Sequence, residues 1–176
     1  MRIISGIYKS RILKSPSKSE TARPTTDRAR ETLFNMLNNL LEFEEVLCLD
    51  LFCGTGSFGL ECVSRGAEQA IFVDTNTRII EDNIKTLDAG EKCSVIKKEV
   101  LSYLKNNYDG QCNLVFADPP YAYQEYDELI QLLSRYEAYV IIEHSGKFNY
   151  FGEYSPQLFL TKKIGFTSFT FFNFNK

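Results

Sequence analysis

Residues 46–61 restrict the possible folds of this chain more than any other stretch. A short apolar run, Val46–Leu51, predicts a buried strand that carries one carboxylate, Asp50, near its carboxyl end. Three glycines follow the strand, at Gly54, Gly56 and Gly59, and a helical pattern begins after them. A strand, a glycine turn and a helix in this order form a cradle in which backbone N–H groups approach a small ligand closely.

The glycine spacing is compatible with two kinds of cofactor. It fits the pattern G-x-G-x-x-G, and Asp74 stands about 20 residues after Gly54, as in enzymes that bind nicotinamide or flavin dinucleotides. The alternative is a methyltransferase that binds S-adenosylmethionine (AdoMet). Asp50 favours AdoMet, because a carboxylate beside the loop attracts its cationic amino and sulfonium groups but repels a pyrophosphate. If the glycine turn bound no ligand, the positions of Asp50 and Asp74 relative to the glycines would be unexplained.

The rest of the chain alternates between predicted strands and helices. The further predicted strands are Gln69–Val73, Ser94–Lys97, Leu114–Ala117 and Ala138–Glu143, and the helices are Thr77–Asp88, Val100–Asn106 and Glu125–Arg135. This alternation predicts a parallel sheet with helices on both faces. Two alternating apolar runs over residues 157–174, broken at Gly165, predict a closing β-hairpin.

These patterns predict a single α/β domain over residues 1–176. Residues 26–176 are expected to form a Rossmann-like class I methyltransferase core, with a mostly parallel seven-stranded sheet and an antiparallel C-terminal hairpin strand. Residues 1–25 are expected to form a basic N-terminal β-hairpin, or arm, which leads into a helix that ends near Leu41. Four acids fall at the predicted carboxyl ends of strands, where such sheets bind ligands: Asp50, Asp74, Asp118 and Glu143.

A second motif, Asp118-Pro119-Pro120-Tyr121, follows a predicted buried strand. Two prolines stiffen the loop, so the Asp118 carboxylate and a loop carbonyl can each accept one N–H bond from an exocyclic base amine. The amine then turns its lone pair toward the activated methyl group, and catalysis consists mainly of positioning. Tyr121 supplies a flat face on which a base taken out of its helix can stack.

The charge of the chain is distributed unevenly. Residues 1–30 carry a net charge of +6, whereas the remaining 146 residues carry −9, for a total of −3. A basic arm on an acidic body indicates a polyanionic partner, although a solvated tail that binds nothing has the same composition. The candidate phosphate contacts are Lys9, Arg11, Lys14, Lys18 and Arg28.

Four motifs together resemble the RsmD family of methyltransferases, which modify the N2 amine of guanine 966 in 16S ribosomal RNA. They are Arg2-Ile3-Ile4-Ser5-Gly6, the run from Arg23-Pro24-Thr25-Thr26 to Asn35, the Asp-x-Phe-x-Gly-x-Gly motif and Asp-Pro-Pro-Tyr. The resemblance implies an AdoMet-dependent enzyme that acts on 16S ribosomal RNA or the small ribosomal subunit. It assigns Asp50, Phe52, Gly54, Gly56 and Asp74 to AdoMet, and Asp118, Pro119, Pro120 and Tyr121 to the guanine. Glu99, at the end of the third strand, stands where related enzymes place a polar residue near adenine.

The chain departs from the family at Ser10, where a glycine usually precedes the arginine of the basic hairpin. The Asp-Pro-Pro-Tyr loop also suits adenine-N6 methyltransferases, and a non-catalytic RNA-binding module on the same fold is the alternative from another class. We expect His144 to be structural and the phenylalanines of the tail to be core residues. The five scattered cysteines predict reduced thiols, and we expect a cytoplasmic monomer with no metal and no membrane partner.

Overall fold

The computed structural model describes residues 1–15, 27–106, 111–145, 154 and 157–176. Their helices are α1 (Asp27–Leu37), α2 (Ser57–Ser64), α3 (Arg78–Leu87), α4 (Val100–Asn106) and α5 (Tyr126–Leu133). Their strands are β1 (Leu47–Leu51), β2 (Gln69–Asp74), β3 (Cys93–Lys97), β4 (Leu114–Ala117), β5 (Tyr139–His144), β6 (Leu158–Ile164) and β7 (Thr167–Asn173). No helix in these ranges is long and apolar enough to span a membrane.

The strands form one seven-stranded sheet in the order β3-β2-β1-β4-β5-β7-β6. The five strands from β3 to β5 are parallel, and β7 pairs antiparallel with both β5 and β6. This order confirms the predicted fold, including the antiparallel closing hairpin. The chain moves to one side of β1 through β2 and β3 and then returns to the other side at β4. A ligand crevice is expected outside the carboxyl ends of β1 and β4, where the strand order reverses.

Apolar side chains cover both faces of the sheet. Helices α1, α2 and α3 pack on one face, with Leu33, Phe58 and Ile80 among the buried residues. Helices α4 and α5 pack on the other face, with Leu104 and Ile130 in its core. Because β1 is buried on both faces, its sequence reads as a continuous apolar run that only Asp50 interrupts.

The closing hairpin buries most of its aromatic side chains. Phe169, Phe171 and Phe172 are fully buried, as expected for core residues, whereas Phe166 is exposed at the turn between β6 and β7. In the adjacent strand β5, a ring nitrogen of His144 lies 2.9 Å from the Thr170 hydroxyl, and burial lowers the pKa of this histidine. Both features fit a structural role for His144.

The N-terminal region differs from the expected hairpin and helix. Within described residues 1–15, the two sides of the arm pair only briefly, through the antiparallel bridge of Arg2 with Ile12 and through backbone bonds that include Ile3 N–H to the Arg11 carbonyl and Leu13 N–H to the Met1 carbonyl. Other arm N–H groups bond to side chains of α2, as described below. Helix α1 ends at Leu37 rather than near Leu41, because Asn38 and Asn39 have low helix propensity and continue it only as a turn. The sequence also predicts a helix cap at Thr25 or Thr26, and both residues lie outside the described ranges.

Candidate functional site

The sheet brings the two principal motifs side by side. Leu51 at the end of β1 is in register with Ala117 at the end of β4. The Asp118 N–H donates to the Leu51 carbonyl at 3.3 Å, and the Cys53 N–H donates to the Val73 carbonyl of β2 at 3.3 Å. The glycine loop therefore lies between the carboxyl end of β2 and the Asp118 loop.

The glycine loop is held open on one side and packed on the other. A Cβ atom on Gly56, whose φ is +73°, would lie 2.0 Å from the Ile80 side chain, so this position excludes larger residues. A Cβ on Gly54 would meet only a backbone oxygen, at 3.9 Å, so Gly54 faces the open side. The Gly54 N–H donates to the Asp74 carboxylate at 2.9 Å, which joins the loop to the acid after β2.

Asp50 is a buried acid directly beneath this loop. It is 2% exposed, and its Oδ2 accepts the Gly59 N–H at 2.9 Å. Burial raises the pKa of Asp50 to about 8, and the Asp74 charge adds to the rise, while the Gly59 hydrogen bond opposes it. An ionised Asp50 is therefore costly unless a cation binds nearby.

Asp118 opens the second loop in a similarly acidic setting. Asp118 is exposed at the surface, yet neighbouring protein atoms desolvate its carboxyl group. Burial and then the charges of Glu143 and Asp50 raise the pKa of Asp118 well above its usual range. Glu143, at the end of β5, is itself buried and accepts the Thr167 hydroxyl at 3.3 Å. The predicted group of strand-end acids thus forms one mutually repelling cluster.

The Asp-Pro-Pro-Tyr loop folds back on itself as a tight turn. The Tyr123 N–H donates to the Pro120 carbonyl at 2.8 Å. The Tyr123 ring packs edge-on against Phe52, which follows β1 with a φ of +55°, and against Tyr126 of α5. Pro119 is buried by this packing, whereas Tyr121 is 60% exposed and presents its ring at the surface.

The residues of the crevice suit a cationic ligand with a ribose. The open Gly54 face leaves room beside the loop, the acid cluster favours positive charge, and Asp74 supplies acceptor oxygens for hydroxyl groups. AdoMet carries a sulfonium and an ammonium group, so these residues fit it. They do not fit a dinucleotide, because the pyrophosphate would meet Asp50 and Asp118.

Glu99 caps the helix that follows β3. Its carboxylate oxygens accept the N–H groups of Leu101 at 2.9 Å and Ser102 at 2.7 Å, at the start of α4. The Lys98 N–H donates to the Asp74 carbonyl, so Glu99 lies close to the end of β2. Each carboxylate oxygen has a second lone pair, so this cap leaves acceptor capacity for a ligand amine.

The candidate RNA-binding side chains do not all project freely. Lys9 and Arg28 are exposed. Arg11 donates to the Thr86 carbonyl at 2.6 Å, and Lys14 forms an exposed ion pair of 3.1 Å with Asp82, both on α3. Lys18 lies outside the described residues. The arm therefore lies along the body rather than extending from it.

Sequence reasoning missed three buried polar residues that hold this arm. Glu61 accepts the Ile4 N–H at 2.7 Å and the Ser5 N–H at 2.9 Å, and Ser64 accepts the Tyr8 N–H at 2.9 Å. Asn83 bonds to the main chain of Lys14. Each lies on the apolar side of its helix. The sequence did contain one signal for these residues, because each is a polar side chain at an apolar position of its helix. A polar side chain at such a position is buried only when it has a hydrogen-bond partner.

Comparison with known proteins identifies the family. The family model described as "Conserved hypothetical protein 95" matches residues 1–173. The Escherichia coli relative named ribosomal RNA small subunit methyltransferase D is 38% identical over 136 residues, which cover 76% of this chain and 66% of that protein. The chain belongs to the RsmD family. The resemblance inferred from the four motifs is thereby confirmed.

Two further proteins are similar to this one over most of the chain. The Bacillus subtilis protein YlbH is 35% identical over 154 residues, 82% of each chain. The solved structure of the Escherichia coli protein yhhF superposes with a TM-score of 0.80 at 32% identity and covers 98% of this chain and 96% of its own. The family fold thus includes the arm as well as the sheet.

Proposed function

We propose that this protein transfers the methyl group of AdoMet to the N2 amine of guanine 966 in 16S ribosomal RNA. The observation that carries the proposal is the position of the Asp118 loop beside the glycine loop, joined by the bond from the Asp118 N–H to the Leu51 carbonyl. The name of the Escherichia coli relative, a small-subunit ribosomal RNA methyltransferase, supports the substrate class. We further propose a cytoplasmic monomer.

AdoMet supplies an electrophilic methyl group when it is bound. In this proposal Asp50, Gly54, Gly56 and Asp74 hold it, with Phe52 and Glu99 bordering the same edge. Asp74 accepts ribose hydroxyls while it fixes the Gly54 N–H, and Asp50 balances the cationic end. The charge of the cofactor offsets the repulsion that raises the pKa values of Asp50 and Asp118, so both acids ionise more readily in the complex.

The Asp118 loop holds the flipped base. Asp118 and a carbonyl of the Pro119–Pro120 segment accept the two amine N–H groups, and the exposed Tyr121 ring stacks on the guanine. The amine must lose a proton when its nitrogen gains the methyl group. Asp118, which is ionised in the complex, accepts that proton and so also serves as the base.

The substitution Asp118→Ala tests this assignment. We expect it to retain AdoMet binding and to lower single-turnover methyl transfer to small-subunit ribosomal RNA by roughly 10²–10⁴-fold, the range for a positioned acid or base. Asp127→Ala removes an exposed acid nearby on α5 and serves as the matched control, with transfer unchanged. Transfer by Asp118→Ala at the wild-type rate would remove Asp118 from the reacting centre.

Mass spectrometry of the digested product RNA identifies the methylated atom. N2-methylguanosine at one site supports the proposal. N6-methyladenosine would instead favour the adenine enzyme that the Asp-Pro-Pro-Tyr loop also suits. The absence of any methylated nucleoside, together with retained RNA binding, would favour a non-catalytic RNA-binding module.

A further inference from the structure

Asn83 is a fully buried amide on α3 that contacts two separate functional segments. Its Oδ1 accepts the Lys14 N–H at 2.8 Å. Its Nδ2 donates one hydrogen to the Lys14 carbonyl at 3.2 Å and the other to the Thr55 carbonyl at 2.9 Å. One side chain therefore joins the arm, of which residues 1–15 are described, to the centre of the glycine loop.

On the glycine loop, Asn83 fixes one peptide plane. The Thr55 carbonyl points to Asn83, and the following Gly56 N–H donates to the Cys53 carbonyl at 2.7 Å. Gly56 is in the left-handed region, where glycine leaves the backbone free to reorient. Without the bond to Thr55, this peptide would be fixed from one side only. Its orientation helps set the shape of the glycine loop on which the proposed cofactor lies.

On the arm, Asn83 bonds to both the N–H and the carbonyl of Lys14, as a paired residue of a neighbouring strand would. Adjacent contacts extend this attachment along α3, with Arg11 on the Thr86 carbonyl and the Lys14 ammonium on Asp82. At the start of the arm, the Met1 sulfur lies 3.6 Å from the Thr55 hydroxyl. Thr55 is thus linked to the arm twice: its hydroxyl contacts Met1, and its carbonyl is joined to Lys14 through Asn83.

We propose that Asn83 is a positioning residue that couples the two substrates: AdoMet on the glycine loop and RNA on the arm favour each other's binding through this amide. The inference rests on the proposed function and deepens it. A ligand that orders one side of the amide lowers the entropic cost of ordering the other side. By linkage, the effect of AdoMet on RNA affinity equals the effect of RNA on AdoMet affinity.

The test compares two isosteric substitutions at neighbouring positions. Asn83→Asp keeps the acceptor for Lys14 and, in its ionised form, loses both donated bonds, so the Thr55 carbonyl is released; Asn83→Ala excludes the one bond that a protonated acid would still donate. Asp82→Asn removes the exposed ion pair with Lys14 and leaves the Asn83 bonds intact, so it is the matched control. Asn83→Ala removes all three bonds without adding a buried charge and replaces Asn83→Asp if that variant does not fold.

Hydrogen exchange of the arm provides a measurement that needs no turnover. In the wild type and in Asp82→Asn, we expect saturating AdoMet to slow amide exchange in residues 1–15 by about 5-fold, the lower end of typical coupling. In Asn83→Asp, AdoMet should bind about 5-fold more weakly by calorimetry and leave arm exchange unchanged, since a hydrogen bond is worth about 1 kcal/mol. AdoMet should also tighten wild-type binding of transcribed small-subunit ribosomal RNA, but not binding by Asn83→Asp.

The outcomes separate this inference from the proposed function. A wild type that binds AdoMet without any change in arm exchange overturns the coupling and leaves the methyltransferase proposal intact. Equal slowing in the wild type and the folded Asn83 variants also overturns it, because the connection would then run elsewhere. A wild type that does not bind AdoMet contradicts the proposed function itself.

Discussion

At the scale of single residues, we expect Asp50 to set how cofactor binding depends on pH. Its folded-state pKa is about 8, well above the value of roughly 3.9 expected in the unfolded chain. The folded apoprotein therefore binds more protons between these values, and the contribution of Asp50 to stability falls as the pH rises through this window. AdoMet is a cation and prefers ionised Asp50, so its binding releases a proton below pH 8.

We therefore expect AdoMet affinity to rise between pH 6 and 8, by up to about tenfold per pH unit, and to level off above the pKa. Calorimetry in buffers of different ionisation enthalpy measures the proton release directly. The Asp50→Asn variant is the control, because the amino group of the ligand, with a pKa near 8, titrates equally with both proteins. Identical pH profiles for the two proteins would contradict the assignment of Asp50.

Ser10 carries backbone strain that a glycine would relieve. Its φ is +69°, in the left-handed region, which costs a non-glycine residue about 1–2 kcal/mol. Ser10→Gly should relieve this strain, but glycine also gives the unfolded chain more conformational entropy, which opposes folding. The net stabilisation should be about 0.5–1 kcal/mol. Urea denaturation measures this change, with Ser10→Ala as the control that keeps a Cβ. Equal stability of the two variants would contradict the strain.

Sequence reasoning located the chemistry of individual residues better than their connections. Asp50, Asp74 and Asp118 could be assigned to one edge, because each follows an apolar strand and parallel strands share their carboxyl ends. The contacts of Asn83 and Glu61 could not be derived from the sequence. Glu61 bonds to Ile4, 57 positions away, and Asn83 bonds to Lys14, 69 positions away, and no local pattern specifies the partner of a buried polar group.

At the scale of elements, α2 is the main attachment of the arm. Glu61 is completely buried and accepts three hydrogen bonds, from the Ile4 and Ser5 N–H groups and from the Arg65 side chain at 2.9 Å. Gly6 fits against the end of the same helix, where a Cβ would lie 1.7 Å from the Ser64 carbonyl oxygen. This attachment explains why the arm lacks a regular ladder of its own.

The substitution Glu61→Ala should destabilise the protein by about 3 kcal/mol or more, because it leaves a largely buried arginine and two N–H groups without their acceptor. Glu61→Gln retains one acceptor oxygen and should cost less. Glu68→Ala, at an exposed position just beyond α2, should change stability by less than about 0.5 kcal/mol. Chemical denaturation measures all three. A loss for Glu61→Ala as small as that for Glu68→Ala would mean that the arm is not anchored there.

Element types were predictable because the apolar period differs between strand and helix along this chain. Element ends were less predictable. The apolar residue Leu40 extended the helical pattern of α1, but Asn38 and Asn39 end the helix first. The arm was difficult to predict for a related reason. Its weak alternation predicted a hairpin, but Glu61 and Ser64, which compete for the arm N–H groups, lie far away in sequence.

At the scale of the whole molecule, a basic arm lies on an acidic body. The arm follows α2 and α3 from the glycine loop, near Met1 and Lys14, to the far ends of these helices, near Gly6 and Arg11. The eight residues of α2 span about 12 Å, so the arm, which carries the basic track Lys14, Arg11 and Lys9, extends over a distance of that order. An RNA strand lying on this track would have its neighbouring nucleotides at the Asp118 loop.

Replacing Lys9, Arg11 and Lys14 with alanine should therefore weaken RNA binding and reduce its salt dependence, because we propose that these side chains contact phosphates without selecting bases. Each lost phosphate contact lowers the log–log salt slope by roughly 0.7–0.9. Lys14 should contribute least, since Asp82 already neutralises it, whereas Arg11 contacts only a neutral carbonyl and Lys9 is exposed. AdoMet affinity should not change, because alanine at position 14 keeps both backbone bonds to Asn83.

The matched control replaces three exposed lysines far from the arm with alanine and so removes the same charge. These are Lys162 and Lys163 on β6, the edge strand at the opposite end of the sheet, and Lys176. RNA affinity measured over a salt series, with AdoMet calorimetry on each variant, distinguishes the two sets. A smaller slope for the arm variant alone supports the track. An unchanged slope would mean that the arm is a solvated segment despite its charge. An equal reduction in the control would mean that the slope reports only net charge and not a position on the surface.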